Sequence, residues 1–104
     1  MQRLIEQLAD EGNVLVGGRQ PLGRVRYHLS VYQHFSSTDG EQVPASLKIE
    51  GHITPLEKLD LADLLKRRAE LTLQLSDGQS VDFFVTHADG TIRSTGRGLY
   101  RHDT

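Results

Sequence analysis

A chain of 104 residues that is 37% hydrophobic and 25% charged has the size and composition of a single globular domain, 1–104, able to bury a core without crosslinks. Its formal net charge of -2 excludes a global field that would draw it to nucleic acid or to an anionic membrane; any such binding needs a local basic patch. The lack of cysteine excludes disulfides, thiolate nucleophiles and thiolate metal ligands.

Residues 2–11 read as a short helix. Leu4, Ile5 and Leu8 share a helical face, and Gly12 stands where a helix stop belongs, which gives an N-terminal helix over 1–12. The acidic residues here are unlike the apolar stretch of a signal peptide, and no apolar run approaches the ~18 residues of a membrane span. A cytoplasmic protein is expected. Val14-Leu15-Val16 suggests a short strand, and the glycines and proline of 17–23 a loop.

From Arg24 to Phe35 apolar and polar residues alternate. Val25, Tyr27, Leu29, Val31 and Phe35 share one face; Arg24, Arg26, His28, Ser30, Tyr32 and His34 share the other. Ala45, Leu47, Ile49 and Ile53 repeat the pattern, with Ser46, Lys48, Glu50 and His52 opposite. Asp39-Gly40 marks a hairpin turn between them, so 24–53 reads as a first hairpin. A three-residue Thr38-Asp39-Gly40 loop would set Phe35 against Val43, Val31 against Leu47 and Leu29 against Ile49, apolar against apolar. In that register His28 faces Glu50 and Arg26 faces His52.

Thr54-Pro55-Leu56-Glu57 has the form of a capping box with proline at the first helical position, which places an inserted helix over 54–68. Asp60-Leu61-Ala62-Asp63 offers a second cap, so the segment divides into one helix or two. A three-strand meander over 70–99 follows. A three-residue Ser76-Asp77-Gly78 loop sets Leu73 against Val81 and Leu71 against Phe83. At Asp89-Gly90 a two-residue turn is expected, because it keeps Ile92 on the face of Phe83 and Val85. The fold class is mainly β (α+β): a small antiparallel β-barrel or strongly bent sheet of five to six strands, with an N-terminal helix and one helix between strands 2 and 3.

Two groups of residues are candidates for a site. Arg26, His28, Tyr32, Glu50 and His52 share the outer face of the first hairpin, a mixture that suits an anionic ligand or a protein partner. His28, Glu50 and His52 are also of the types that ligate a divalent metal, although solvated cross-strand pairs account for them equally well. Arg93, Ser94, Thr95 and Arg97, among Gly96 and Gly98, could cradle an anion, or could be a bulged edge strand guarded by arginines. Lys66-Arg67-Arg68 is the charged end of a helix. No Gly-x-Ser-x-Gly, His-Glu-x-x-His or P-loop pattern is present, so no catalytic residue, metal site or cofactor is assigned.

The leading expectation is a non-enzymatic binding module that docks a protein partner or a second copy through an exposed strand edge. A small barrel that binds nucleotide or nucleic acid is the first alternative, with Tyr27, Tyr32, Phe84 and Tyr100 as stacking surfaces. A small His/Glu metal protein or enzyme is the second.

Overall fold

The computed structural model describes residues 2–101, apart from the side chains of Thr38 and Arg97. Its elements are β1 (Gln2–Val16), β2 (Gln20–Thr38), β3 (Glu41–Pro55), α1 (Leu61–Arg67), β4 (Leu71–Gln74), β5 (Gln79–Val85) and β6 (Thr91–Arg101). Every strand pair is antiparallel, in the order β1-β2-β3-β6-β5-β4. β4 returns to pair with β1 at Asn13–Val16, so the sheet closes on itself into a ring.

The N-terminal helix over 1–12 is not formed; residues 2–12 belong to β1, which pairs with β2 from one end to the other. The apolar spacing misleads because the register shifts between Leu4 and Glu6, leaving Ile5 as an extra residue. Leu8 therefore lies beside Leu29 on the inner face, while Leu4 lies beside Tyr32 on the outer one. A bulge thus imitates a helical repeat. Gly12 is not a helix stop but a point of close approach: a Cβ there would stand 2.3 Å from the Gln74 carbonyl oxygen, where β4 joins β1. The 17–23 loop shortens to Gly17-Gly18-Arg19, closed by the Arg19 N–H donating to Val16 O, and β2 begins at Gln20.

The first hairpin keeps its faces and changes its partners. Asp39 (φ 51°) and Gly40 (φ 79°) both take left-handed backbone, so the turn has two residues and Thr38 pairs with Glu41. That alone would set Val31 against a polar residue. A shift between Gln33 and Phe35 restores the alternation, because Ala45 and Ser46 of β3 together span His34 of β2. Relative to the expected three-residue loop, the register slides by two. Val31 meets Ile49, Leu29 meets Gly51, and His28 meets His52 instead of Glu50.

The second hairpin forms as read: Leu71 meets Phe83 and Leu73 meets Val81. The third loop has four residues, His87–Gly90, not two; Thr86 N–H donates to Thr91 O at 2.8 Å and Gly90 N–H to His87 O at 3.1 Å. Ile92 still shares the inner face with Phe83 and Val85, because changing a loop by two residues preserves side-chain parity. β6 then bulges widely, with Thr95–Gly98 opposite Asp82 alone. The Asp82 carboxylate accepts hydrogen bonds from Thr72 Oγ1 (2.9 Å) and Tyr100 Oη (2.6 Å), tying β4, β5 and β6 together there.

The inserted helix is confined to α1. Thr54 and Pro55 do not cap it; they extend β3 opposite Arg26 and Val25. The cap is Asp60, whose carboxylate accepts the Asp63 N–H at 3.0 Å, and the helix ends at Arg68 in left-handed backbone. α1 drops Leu64 into the core and lies beside β5. Inside the ring Phe83, Leu29, Ile49, Ile53, Leu71 and Leu73 are fully buried. Removing each such side chain from water is worth roughly 1.5–3 kcal/mol.

Three strands outrun the ring. β4 reaches β1 only at Asn13–Val16, and β6 reaches β3 only at Glu50–His52. Residues Gln2–Gly12 of β1 and Glu41–Lys48 of β3, with β2 between them, extend as an arm. The radius of gyration is 14.5 Å and the extents 50 × 31 × 22 Å, against a radius of about 13 Å for a compact chain of this length.

Candidate binding surface

The outer face of the ring can be traced as rows running across the strands. One row reads Ala9, His28, His52, Thr91. The next reads Gln7, Ser30, Glu50, Arg93, Phe84. A third, toward the arm, reads Leu4, Tyr32, Lys48. Arg26, His28, Tyr32, Glu50 and His52 therefore do lie on one face, as their alternation requires, but divided among these rows and the position next to Thr54 rather than gathered at a point.

Arg26, His28 and His52 line a depression of about 380 Å³ whose remaining wall is Ala9, Asp10, Glu11, Tyr27 and Thr54. Its charge is mixed. Glu11 accepts a hydrogen bond from Arg24 at 3.0 Å, and Asp10 accepts from its neighbour's backbone N–H at 2.8 Å and from Ser76 Oγ at 2.9 Å. Those bonds, the Glu11 N–H first and the Ser76 hydroxyl second, hold the Asp10 carboxyl below its usual range. Asp10 could not be read as a site residue in a segment taken for a helix; its signal was the carboxylate-plus-serine pair, which only the ring brings together.

Glu50 does not join the two histidines. It sits opposite Ser30 and is drawn to Lys48 Nζ at 2.7 Å and Arg93 Nη2 at 3.7 Å. The His28–Glu50–His52 grouping weighed as an alternative metal set is not assembled: the two-residue slip places imidazole opposite imidazole and Glu50 opposite Ser30. Among the described residues no three of His, Cys, Asp or Glu are grouped so as to hold a metal ion.

A second depression, about 400 Å³, opens where β6 leaves β3. It is lined by Gln2, His34, Ser46, Leu47, Lys48, Arg93, Ser94 and Gly96. Arg93 and Ser94 of the expected anion cradle are here. Thr95 is exposed and outside its wall, and the Arg97 side chain lies outside the described residues. Ser94 Oγ already accepts the Ile49 N–H at 3.2 Å, continuing the β3–β6 join by one bond beyond the ladder.

The aromatic residues are dispersed. Tyr27 is buried, with its hydroxyl beside Ser76 at 3.3 Å, and Tyr100 is half-buried with its hydroxyl bound to Asp82. Tyr27 is thus enclosed, and Tyr100 is held by its hydroxyl with part of its side chain exposed. Phe84 is 37% exposed and lines a third depression with Leu65, Arg68, Val85 and Thr86. Tyr32 and Phe84 are three strand spacings apart, roughly 14 Å.

The arm is the other exposed feature. Leu4 and Ile5 are 47% and 50% exposed and Val43 is 45% exposed. Among the described residues, β1 from Gln2 to Gly12 pairs on one side only, and so does β3 from Glu41 to Lys48. Among the described residues no helix is long and apolar enough to cross a membrane. Comparison with protein-family models, with curated proteins and with solved structures gives no match.

Proposed function

We propose that this protein is a non-enzymatic interaction module that docks a protein partner by strand addition along its arm. One observation carries the reading: two long strand edges lacking a ladder partner among the described residues, on the same arm as Leu4, Ile5 and Val43. A row of open backbone donors and acceptors supplies affinity, and the alternate side chains supply selectivity. The ring serves as the rigid base that holds the three strands in register.

A photo-crosslinking residue introduced in cells at Leu4 or Val43, with Lys66 on α1 as the control position, tests this. Covalent adducts to protein at the arm positions and not at Lys66 are the expected outcome. Adducts at Lys66 alone, or at none of the three, overturn it.

A nucleotide seated in the Arg26–His28–His52 depression is the second reading, supported by three nitrogen-bearing side chains on one wall. Asp10 and Glu11 in the same lining, Glu11 directly beside Arg26, oppose an anion there. Absence of salt-dependent shifts of the His28 and His52 imidazole resonances on adding nucleotide would remove it.

A further inference from the structure

We infer that the occupant of the β1 edge is a second copy of this chain, paired antiparallel to the first about a two-fold axis at Gln7. The inference rests on the arm being a docking element and names which edge docks and to what.

The two edges of the arm differ. β3 carries Pro44, which has no N–H to give a new neighbour, and its Ala45-Ser46 bulge breaks the run of evenly spaced groups. β1 has no proline between Gln2 and Gly12; among the described residues its ladder with β4 begins at Asn13, the Gln74 carbonyl crowds Gly12, and Ser76 already donates to the Asp10 carboxylate from that side. The edge free to extend the sheet is that of β1.

Charge sets the direction and the partner. Arg3 stands near one end of the open edge, and Asp10 and Glu11 at the other. A parallel copy would set Arg3 against Arg3, whereas an antiparallel copy sets Arg3 of each chain against Asp10 of the other. The strand is therefore complementary to itself reversed. The faces agree as well. Arg3 and Asp10 both lie on the inner side, beside Gln33 and Tyr27; Leu4 and Ala9 both lie on the outer side, beside Tyr32 and His28. Residues seven apart, like Arg3 and Asp10, or five apart, like Leu4 and Ala9, ordinarily point to opposite faces. They share one here because Ile5 is the extra residue, so the bulge that hid the strand from sequence reading makes the self-pairing consistent. Gln7 then meets Gln7, and Leu4, half exposed in one chain, covers Ala9 of the next. The three-stranded arm becomes the half of a continuous six-stranded sheet, which also answers why a two-faced arm with few buried side chains is retained.

The absence of cysteine makes the test clean. The unmodified protein is measured by size exclusion with light scattering over a wide concentration range, and Gln7→Cys and Gln42→Cys are oxidised in parallel. A two-chain mass, with a covalent dimer from Gln7→Cys and not from Gln42→Cys, is expected, since directly opposed strand positions have the separation a disulfide needs. Ile5→Lys adds a charge at an exposed side chain and is expected to give the one-chain mass with an unchanged far-ultraviolet spectrum. A one-chain mass for the unmodified protein at all concentrations overturns the inference, as does a crosslink through Gln42→Cys instead. In either case arm adducts to a different protein in the photo-crosslinking experiment would leave the docking role standing, and their absence would remove both.

Discussion

The arm continues three of the ring's six strands, β1, β2 and β3, yet the two regions obey different rules. In the ring, each strand has two neighbours and one face against a shared core, so Leu29, Ile49 and Ile53 are fully buried. In the arm β2 keeps both neighbours, whereas β1 and β3 lack outer ladder partners among the described residues, and Leu4, Ile5 and Val43 are about half exposed. The difference lies in what closes the sheet. Four residues of β4 and three ladder positions on β6 are all that separate a packed strand from an open one. Alternation is present in both regions, but only where the sheet closes does it convert into burial.

The sharpest way to break this contrast is to cut the core. Phe83→Ala is expected to destabilise by about 3–5 kcal/mol, read as a lowered denaturant midpoint with unchanged slope, while Val43→Ala stays within about 0.5 kcal/mol. Equal effects at the two positions would mean the arm is packed in solution by something the monomer lacks. The join between the regions is next. Gly12→Val forces a side chain into the Gln74 carbonyl, 2.3 Å from an added Cβ, and is expected to cost about 1–3 kcal/mol by pushing β4 off β1. Amide exchange sharpens the picture without mutation: amides of Leu71–Leu73 and Val81–Phe83 should exchange only by global unfolding, and those of Gln33–Ser37 by local opening at low free energy.

The smallest effect belongs to acid. Asp77 is held below the usual carboxylate range chiefly by the Gln79 backbone N–H, and Asp89 chiefly by the Thr91 hydroxyl and then its N–H. A folded-state value below the unfolded one means the unfolded chain takes up the proton first as pH falls. The stabilisation is full above about pH 4, the ordinary unfolded carboxylate value, and is lost as pH drops through the lowered folded values. The Asp77→Asn and Asp89→Asn variants should therefore show a shallower fall in stability below that pH, measured by urea denaturation. An unchanged slope would show that these turns contribute nothing to the acid response.

What was legible in the sequence follows the same division. Val25, Tyr27, Leu29 and Val31 alternate without interruption, and the structure buries all of them. Leu73–Val81 and Leu71–Phe83 pair as their turn chemistry requires. The misread elements sit at a bulge or at a cap competing with a ladder, and two turns, Asp39-Gly40 and His87–Gly90, differ in length. Ile5 turned a strand into an apparent helix. The two-residue Asp39-Gly40 turn and the Ala45-Ser46 bulge together moved His52 from Arg26 to His28. Thr54 and Pro55, good first residues for a helix, are held in β3 by the neighbouring β2, whose Arg24 carbonyl also accepts the Leu56 N–H at 2.9 Å. Bulges leave no compositional mark of their own, so the face of a site residue could be read where its cross-strand partner could not.

The four-residue loop at His87–Gly90 carries a consequence for how such a chain can vary. It stands where a two-residue turn would have satisfied the same inward set, and Ile92 is buried either way. Length at the tips of these hairpins is thus quantised. Residues gained or lost in pairs leave the interior untouched, whereas a single insertion inverts a whole strand unless a bulge elsewhere absorbs it. The bulges at Ile5 and Ala45-Ser46 are places where a strand absorbs an odd residue without inverting its faces, so paired insertions at the turns and single ones at the bulges are the changes of length this fold tolerates.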